Sequence, residues 1–121
     1  MGKKIYVADD VCSVRDSLFS TLGDEGHNVT CFADGSELVE AYKSVRPDMV
    51  ITDKDMLKMS GMDVIKYIRE TAGDAETPII LITGLPTREV QDYISATPRA
   101  KMLIKPLELK DLLKAVSESL G

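Results

Sequence analysis

Short runs of consecutive apolar residues, separated by amphipathic stretches, constrain the fold of this chain more than any other feature of its sequence. A strand that is buried on both faces shows continuous apolarity, whereas a strand with one solvated face alternates. Four runs fit buried strands, and a fifth, more mixed segment fits an edge strand. The four runs are Ile5–Ala8, Met49–Ile51, Ile79–Ile82 and Met102–Ile104, and the edge segment is Asn28–Phe32.

The segments between these predicted strands carry apolar residues at helical spacing. The last is the clearest, with Leu109, Leu112, Leu113, Val116 and Leu120. The segment from Arg88 to Ser95 is the weakest, and Pro98 ends it because proline disfavours helix at the preceding residue. Five strands that alternate with five helices predict an α/β fold with a parallel sheet covered on both faces. The 121 residues suit a single domain over residues 1–121.

Composition excludes some classes of function. A net charge of −5 argues against direct nucleic-acid binding, which needs a concentrated basic face. No apolar stretch approaches a membrane span or the core of a signal peptide. Cys12 and Cys31 lack CxxC spacing, which favours free thiols in a reducing compartment over a disulfide or a metal site. These features predict a cytoplasmic protein.

Four of the predicted strands end in chemically useful residues. Singly, each has an ordinary explanation as a turn residue, a helix cap or a solvated charge. In parallel sheets, however, ligands bind beyond the carboxyl ends of the strands, so these residues are expected to meet at one edge. In chain order they are Asp9 and Asp10, Asp53 with Asp55 just past it, Thr83 followed by Gly84, and Lys105 followed by Pro106.

This set of residues predicts phosphoryl chemistry. Three crowded carboxylates repel one another unless positive charge is supplied, and one divalent cation plus Lys105 would balance them. Hard oxygen donors without a nearby His or Cys favour Mg²⁺, with Mn²⁺ as the alternative. A phosphoryl group would meet the metal, Lys105 and the Thr83 hydroxyl, and a carboxylate can itself be the nucleophile. Gly84 would leave the approach open.

The combined motifs resemble the receiver domain of two-component response regulators, close to the single-domain chemotaxis type. They are ADD at 8–10, ITDKDMLKMSG at 51–61, ITG at 82–84 and KP at 105–106. The resemblance covers nearly the whole chain. It implies a flavodoxin-like, doubly wound sheet of strand order 2-1-3-4-5.

The resemblance also implies roles for individual residues. Asp53 is similar to the phospho-acceptor, Asp10 to a direct magnesium ligand, and Asp9 to the acid that acts through water. The backbone carbonyl of Asp55 would complete the metal shell.

Thr83 and Lys105 match the residues that contact the phosphoryl group, and the bond from Lys105 to Pro106 would be cis. The donor implied is a phosphohistidine on a sensor histidine kinase or phosphotransfer protein, with a downstream protein target that the sequence does not identify. Such a phosphoprotein catalyses its own phosphorylation and slow dephosphorylation. If the chain is full-length, it would be a stand-alone regulator that acts by protein contact.

Three positions depart from the family pattern. Leu57 stands where proline is usual, and Lys54 follows the acceptor where an apolar residue is usual. We expect Lys54 to be a surface charge turned away from Asp53, with an extra cation at the site as the alternative. Met102 stands at the switch position, where Tyr or Phe is usual. Because the acids, Thr83 and Lys105 are all present, we expect the chemistry of the site to be complete. The surface formed by the fourth helix, the fifth strand and the fifth helix, which a partner would contact, is expected to diverge from the family.

Other functions are also consistent with the sequence. A degenerate receiver could serve only as a phosphorylation-independent docking domain, which Leu57 and Met102 keep open. Asp53-Lys54-Asp55 is also a DxD pair of the kind found in aspartyl phosphohydrolases, although the chain has no obvious cap domain. A flavodoxin-like cofactor binder is disfavoured, because no Ser/Thr-rich phosphate loop follows the first strand.

Overall fold

The computed structural model describes residues 2–121, and its strands and helices alternate along the chain as the sequence predicts. The strands are β1 (Lys4–Ala8), β2 (Asn28–Phe32), β3 (Met49–Asp53), β4 (Ile79–Thr83) and β5 (Ala100–Ile104). The α-helices are α1 (Cys12–Asp24), α2 (Gly35–Ser44), α3 (Gly61–Lys66), α4 (Arg88–Ala96) and α5 (Leu109–Leu120).

The strands form one parallel sheet in the order β2-β1-β3-β4-β5. The expected doubly wound, flavodoxin-like order is therefore confirmed, and β2 lies at the edge as its mixed composition predicts. In register, Asp53 of β3 pairs with Ile82 of β4, and Thr83 pairs with Ile104 of β5. The ends of the three strands that carry the candidate residues thus lie side by side.

Two apolar layers cover the sheet. One layer contains side chains of α2, α3 and α4 with those of the sheet, including the fully buried Leu38 and Ile65. The other contains side chains of α1 and α5, including Leu22 and Leu112, which are also fully buried. Strands β3 and β4 are buried along their whole length. Continuous apolarity in the sequence therefore marks the central strands correctly. It is misleading for Met102–Ile104, because β5 lies at the other edge of the sheet and none of its residues is buried.

The third helical segment differs from the single helix that its apolar spacing predicts. Helix α3 ends at Lys66 and continues as a π turn over Tyr67–Thr71. The amide of Ala72 donates to the carbonyl of Tyr67, five residues back, at 2.8 Å. The wider turn still buries Ile68 fully. Such turns frequently occur at functional sites, and apolar spacing does not reveal them.

A buried carboxylate organises the opposite edge of the sheet, near the amino ends of the strands. Asp74 Oδ2 accepts hydrogen bonds from Tyr42 Oη at 2.6 Å and Thr77 Oγ1 at 2.5 Å. Its Oδ1 accepts from the amides of Glu76 and Thr77. Burial opposes ionisation of Asp74, but these hydrogen bonds outweigh it and lower the pKa well below its usual range. Burial and the bond to Asp74 raise the pKa of Tyr42 to about 12.

Arg69, in the π turn, ties this edge to the chain that enters β5. Its guanidinium donates to the carbonyls of Asp74 at 2.8 Å, Thr77 at 2.7 Å and Pro98 at 2.7 Å. Arg99, directly after Pro98, has a left-handed φ of 53°. The side chain of Arg69 thus fixes an irregular connection between α4 and β5.

Two further sequence-based expectations concern the whole chain. Both cysteines are free thiols. Across residues 2–121, none of the helices combines the length and apolarity needed to cross a lipid bilayer.

Candidate functional site

The predicted site residues assemble at the carboxyl edge of the sheet. Asp9 directly follows β1, and Asp53 is the last residue of β3. Thr83 is the last residue of β4, and Lys105 directly follows β5. The parallel arrangement therefore brings four strand ends, distant in sequence, to one place, as the rule for doubly wound sheets predicts.

Three carboxylates form the centre of this site. Asp9, Asp10 and Asp53 each contribute one oxygen to a group whose members lie within 4.8 Å of one another. Asp53 is 4% exposed and Asp9 is 1% exposed, whereas Asp10 is exposed. Two of the three carboxylates are thus buried, and the third faces solvent.

The ammonium group of Lys105 supplies a positive charge next to Asp53. Its Nζ lies 2.7 Å from Asp53 Oδ1. The hydrogen bond to Asp53 raises the pKa of Lys105, so the side chain stays charged at neutral pH. The peptide bond between Lys105 and Pro106 is cis, as the resemblance implies.

The ammonium group of Lys105 does not pair with every carboxylate oxygen of the site, as Asp9 shows. Asp9 Oδ1 accepts a hydrogen bond from the amide of Val11 at 2.9 Å. Its other oxygen, Oδ2, is buried and has no hydrogen-bond partner among residues 2–121. Burial raises the pKa of Asp9, and the negative charge of Asp53 raises it further. A buried, unpartnered oxygen beside two more carboxylates fits a site for a hard divalent cation.

Asp55 is placed differently from the other acids. Its carboxylate is exposed and lies outside the group formed by Asp9, Asp10 and Asp53. Lys54 is half-buried, and its Nζ lies 3.4 Å from Asp55 Oδ1. In this arrangement the carboxylate of Asp55 does not add a fourth member to the group. The expected contribution of Asp55, its backbone carbonyl, does not depend on where the carboxylate points.

Thr83 is held at the start of the loop that leads to α4. It is 1% exposed, and its Oγ1 accepts a hydrogen bond from the amide of Leu85 at 3.1 Å. A Cβ added at Gly84 would meet only atoms of Lys105, at 3.9 Å. There is therefore room for a small side chain at position 84 beside Lys105.

The loop after Asp53 is closed by a backbone approach that requires glycine. A Cβ at Gly61 would lie 2.3 Å from the carbonyl oxygen of Asp53 and 2.8 Å from the side chain of Leu81. The amide of Gly61 also donates to the carbonyl of Lys54 at 2.9 Å. Leu57, at the tip of the loop, is 93% exposed. The loop that follows the apolar strand therefore needs glycine at position 61, where it returns to the end of β3.

Met102, at the predicted switch position, lies in β5 and is half-buried. It pairs in register with Leu81 and packs against the apolar layer that contains α4. It also lines the groove between α4 and α5, together with Ile94 and Ala115. The position is therefore within reach of α4, although the side chain has no aromatic ring.

One contact at the site has no signal in the sequence. Arg15, in the first turns of α1, donates from Nη1 to the backbone carbonyl of Asp9 at 2.7 Å. No short motif marks an arginine six residues after an acid, and only the direction of α1 brings the two together.

Comparison with known proteins decides the family. The family model described as the response regulator receiver domain matches residues 5–117. The chain belongs to this family. Its receiver fold is also seen in the chemotaxis protein CheY4 of Vibrio cholerae, whose structure matches with a TM-score of 0.88 and 29% identity, over 98% of this chain and 99% of that one.

Curated relatives of the receiver domain are longer proteins. The transcriptional regulatory protein PdtaR of Mycobacterium tuberculosis is 29% identical over 115 residues, which cover 94% of this chain and 55% of PdtaR. The DNA-binding response regulator MtrA of Mycolicibacterium paratuberculosis is 30% identical over 117 residues, which cover 96% of this chain and 50% of MtrA. The chain therefore spans about half the length of these relatives.

Proposed function

We propose that this receiver domain accepts a phosphoryl group on Asp53 and switches its binding to a protein partner in response. The donor would be a phosphohistidine on a sensor histidine kinase or a phosphotransfer protein. The observation that carries the proposal is the contact of 2.7 Å between Lys105 Nζ and Asp53 Oδ1, beside the unpartnered Oδ2 of Asp9. The proposed acceptor carboxylate, Asp53, thus lies next to the positive charge of Lys105 and next to a buried oxygen that a cation could bind.

The residues at the site fit a magnesium ion, with manganese as the alternative. Asp9, Asp10 and Asp53 would hold it, with the backbone carbonyl of Asp55 as a further oxygen donor. All these donors are hard oxygens, which suit Mg²⁺ and Mn²⁺ rather than zinc. When bound, the ion supplies positive charge to the oxygens of a transferring phosphoryl group.

The chemical step assigned to the chain is a direct displacement at phosphorus. A carboxylate oxygen of Asp53 forms the new O–P bond, while the N–P bond to the donor imidazole breaks and its electron pair stays on that nitrogen. Lys105, already beside Asp53, remains close to the charge of the acyl phosphate. The Thr83 hydroxyl, which now accepts from Leu85, is free to donate to a phosphoryl oxygen.

Phosphorylation would be signalled through the loop that begins at Thr83. A phosphoryl group carries about −1.5 to −2 charges near neutral pH. Drawing the Thr83 hydroxyl toward it would displace Leu85 and the start of α4, and would shift an equilibrium between two conformations that a partner distinguishes. Met102 would respond by changing rotamer, because methionine adapts to gaps of different shape. In this proposal residues 1–121 act as one domain.

Intact-mass measurement after incubation with acetyl phosphate tests the proposal. We expect the wild type to gain one phosphoryl group in the presence of Mg²⁺ and none in EDTA. Asp53→Asn should gain none. Asp55→Asn is the matched control, because it removes a neighbouring carboxylate but keeps the backbone carbonyl, and it should still be labelled.

The alternatives are distinguished by this assay together with a measurement of phosphate-ester hydrolysis. Absence of labelling in the wild type under every condition would favour a docking domain that works without phosphorylation. Steady, repeated hydrolysis of a phosphate ester would favour a phosphohydrolase.

A further inference from the structure

The turn between β1 and α1 carries two of the three carboxylates, so its conformation decides whether they converge. Three hydrogen bonds hold Asp9 in place. Its amide donates to the carbonyl of Phe32 at 3.1 Å, and its Oδ1 accepts from the amide of Val11 at 2.9 Å. The third bond, from Arg15 Nη1 to the Asp9 carbonyl at 2.7 Å, is the one made by a side chain outside the carboxylate group.

The start of α1 lacks the support that three other helices have. Asp34, Ser60 and Thr87 cap α2, α3 and α4, and each accepts a hydrogen bond from the first turn of its helix. At α1 the capping position is Val11, whose side chain makes no such bond. The turn that presents Asp9 and Asp10 is therefore not fixed by a helix cap. Instead, a side-chain hydrogen bond from Arg15 in α1 links the helix to the backbone at the end of β1.

The charge of Arg15 is not used in an ion pair. Among the described residues, no carboxylate forms a salt bridge with its guanidinium. The side chain is half-buried and donates to a neutral carbonyl instead. A hydrogen bond from a charged donor is stronger than one between neutral groups. The arrangement therefore holds the backbone at Asp9 firmly without neutralising the carboxylates that a cation would need.

We infer that Arg15 is a positioning residue for the cation site. It fixes the backbone at the end of β1, so that Asp9 Oδ2 and the carboxylate of Asp10 stay directed at Asp53. This inference rests on the proposed function, in which the three carboxylates hold a divalent cation. Outer residues that orient ligands in this way typically change metal affinity by about 10–100-fold when they are replaced.

The sign of the effect separates positioning from simple electrostatics. A positive charge close to the site repels a cation, so removing it would tighten metal binding if charge alone mattered. Positioning predicts the opposite, because the carboxylates lose their convergent arrangement. Arg15→Met should therefore weaken Mn²⁺ binding by about tenfold or more. Arg15→Lys, which keeps a charged donor on a shorter side chain, should fall between Arg15→Met and the wild type.

The experiment is Mn²⁺ titration of the wild type, both Arg15 variants and Arg88→Met, followed by electron paramagnetic resonance of free Mn²⁺. Arg88 is the matched control, because its side chain is 93% exposed and, within residues 2–121, forms an ion pair only with Asp92. Urea unfolding in EDTA accompanies each titration, so that affinity is compared between folded proteins. The concentration of Mg²⁺ that gives half the maximal rate of phosphorylation should rise in Arg15→Met, while the rate at saturating Mg²⁺ stays close to that of the wild type.

Each outcome decides one of the two claims. Weaker Mn²⁺ binding in folded Arg15→Met, partial recovery in Arg15→Lys and unchanged binding in Arg88→Met would support positioning. Equal or tighter binding in Arg15→Met would overturn it. If Arg15→Met does not fold, Arg15→Lys alone decides, and wild-type affinity in that variant together with a wild-type Mg²⁺ requirement would overturn the inference. A wild type that binds no Mn²⁺ would instead contradict the proposed cation site itself.

Discussion

Replacing Asp9 with asparagine should make the metal-free protein more stable and remove its response to magnesium. Asp9 is 1% exposed, and its Oδ2 has no hydrogen-bond partner among residues 2–121. Leaving a buried polar group unsatisfied costs about 1–3 kcal/mol. In Asp9→Asn the Oδ1 can still accept from Val11, while the amide NH₂ can donate to Asp53 or Asp10. We therefore expect the free energy of unfolding to rise by about 1–3 kcal/mol in EDTA.

Magnesium should reduce or reverse this difference in stability. A ligand at about 100 times its dissociation constant stabilises a folded protein by about 2.7 kcal/mol. The wild type should gain this amount, whereas Asp9→Asn, which has lost one of three carboxylates, should gain much less. The difference in free energy of unfolding between the two proteins should therefore shrink to near zero or change sign as Mg²⁺ is added.

Urea unfolding followed by far-ultraviolet circular dichroism measures both effects. Asp10→Asn is the matched control: Asp10 is exposed, so its replacement should change stability in EDTA by no more than about 0.5 kcal/mol. It should nevertheless weaken the response to Mg²⁺. The reasoning would be refuted if Asp9→Asn were less stable than the wild type in EDTA, or if it kept the full magnesium response.

Three further predictions follow from other contacts. Gly61→Ala should lower the free energy of unfolding by about 1–3 kcal/mol, because the new Cβ would overlap the carbonyl oxygen of Asp53, whereas the control Gly84→Ala should stay within about 0.5 kcal/mol by urea unfolding. Asp74→Asn should cost about 1.5–3 kcal/mol at pH 7, since it removes hydrogen bonds to a buried charged group. Because the folded-state pKa of Asp74 is lowered, its stabilisation is present above the ordinary value of 3.8, and the difference between the two proteins should shrink as pH falls below that value. A difference that grew on acidification would contradict this account. Arg69→Met should speed amide hydrogen exchange in the connection between α4 and β5 and leave exchange at the carboxyl edge of the sheet unchanged. Equal protection of that connection in the wild type and Arg69→Met would show that the Arg69 side chain does not hold it in place.

The strands and their polar ends could be predicted because both signals are local. A strand buried on two faces is nearly continuously apolar, and Met49–Asp53 and Ile79–Thr83 are buried from end to end, with polar residues only where they end. Once the strands are parallel, their carboxyl ends share one edge, which places Asp53 near Lys105 without knowledge of any contact. The family's motifs then supplied the strand order, which periodicity alone does not determine.

Contacts that depend on tertiary packing could not be predicted in this way. Asp74 follows a glycine in a polar stretch and resembles a turn residue, yet it is buried and accepts a hydrogen bond from Tyr42, which is 32 residues away. The π turn leaves the spacing of the apolar residues almost unchanged, so a single helix was the natural expectation. Arg15 shows the same limit at the site itself, because its role depends on the direction of α1 relative to β1.

Chemical mapping of the phosphorylated residue tests the central claim most directly. An acyl phosphate on an aspartate is reduced by borohydride to homoserine, and tandem mass spectrometry then locates the converted residue. After incubation with acetyl phosphate and Mg²⁺, the account predicts homoserine at position 53 and at no other aspartate. Conversion at Asp9, Asp10 or Asp55 instead, or no conversion in a protein that binds Mn²⁺, would contradict it.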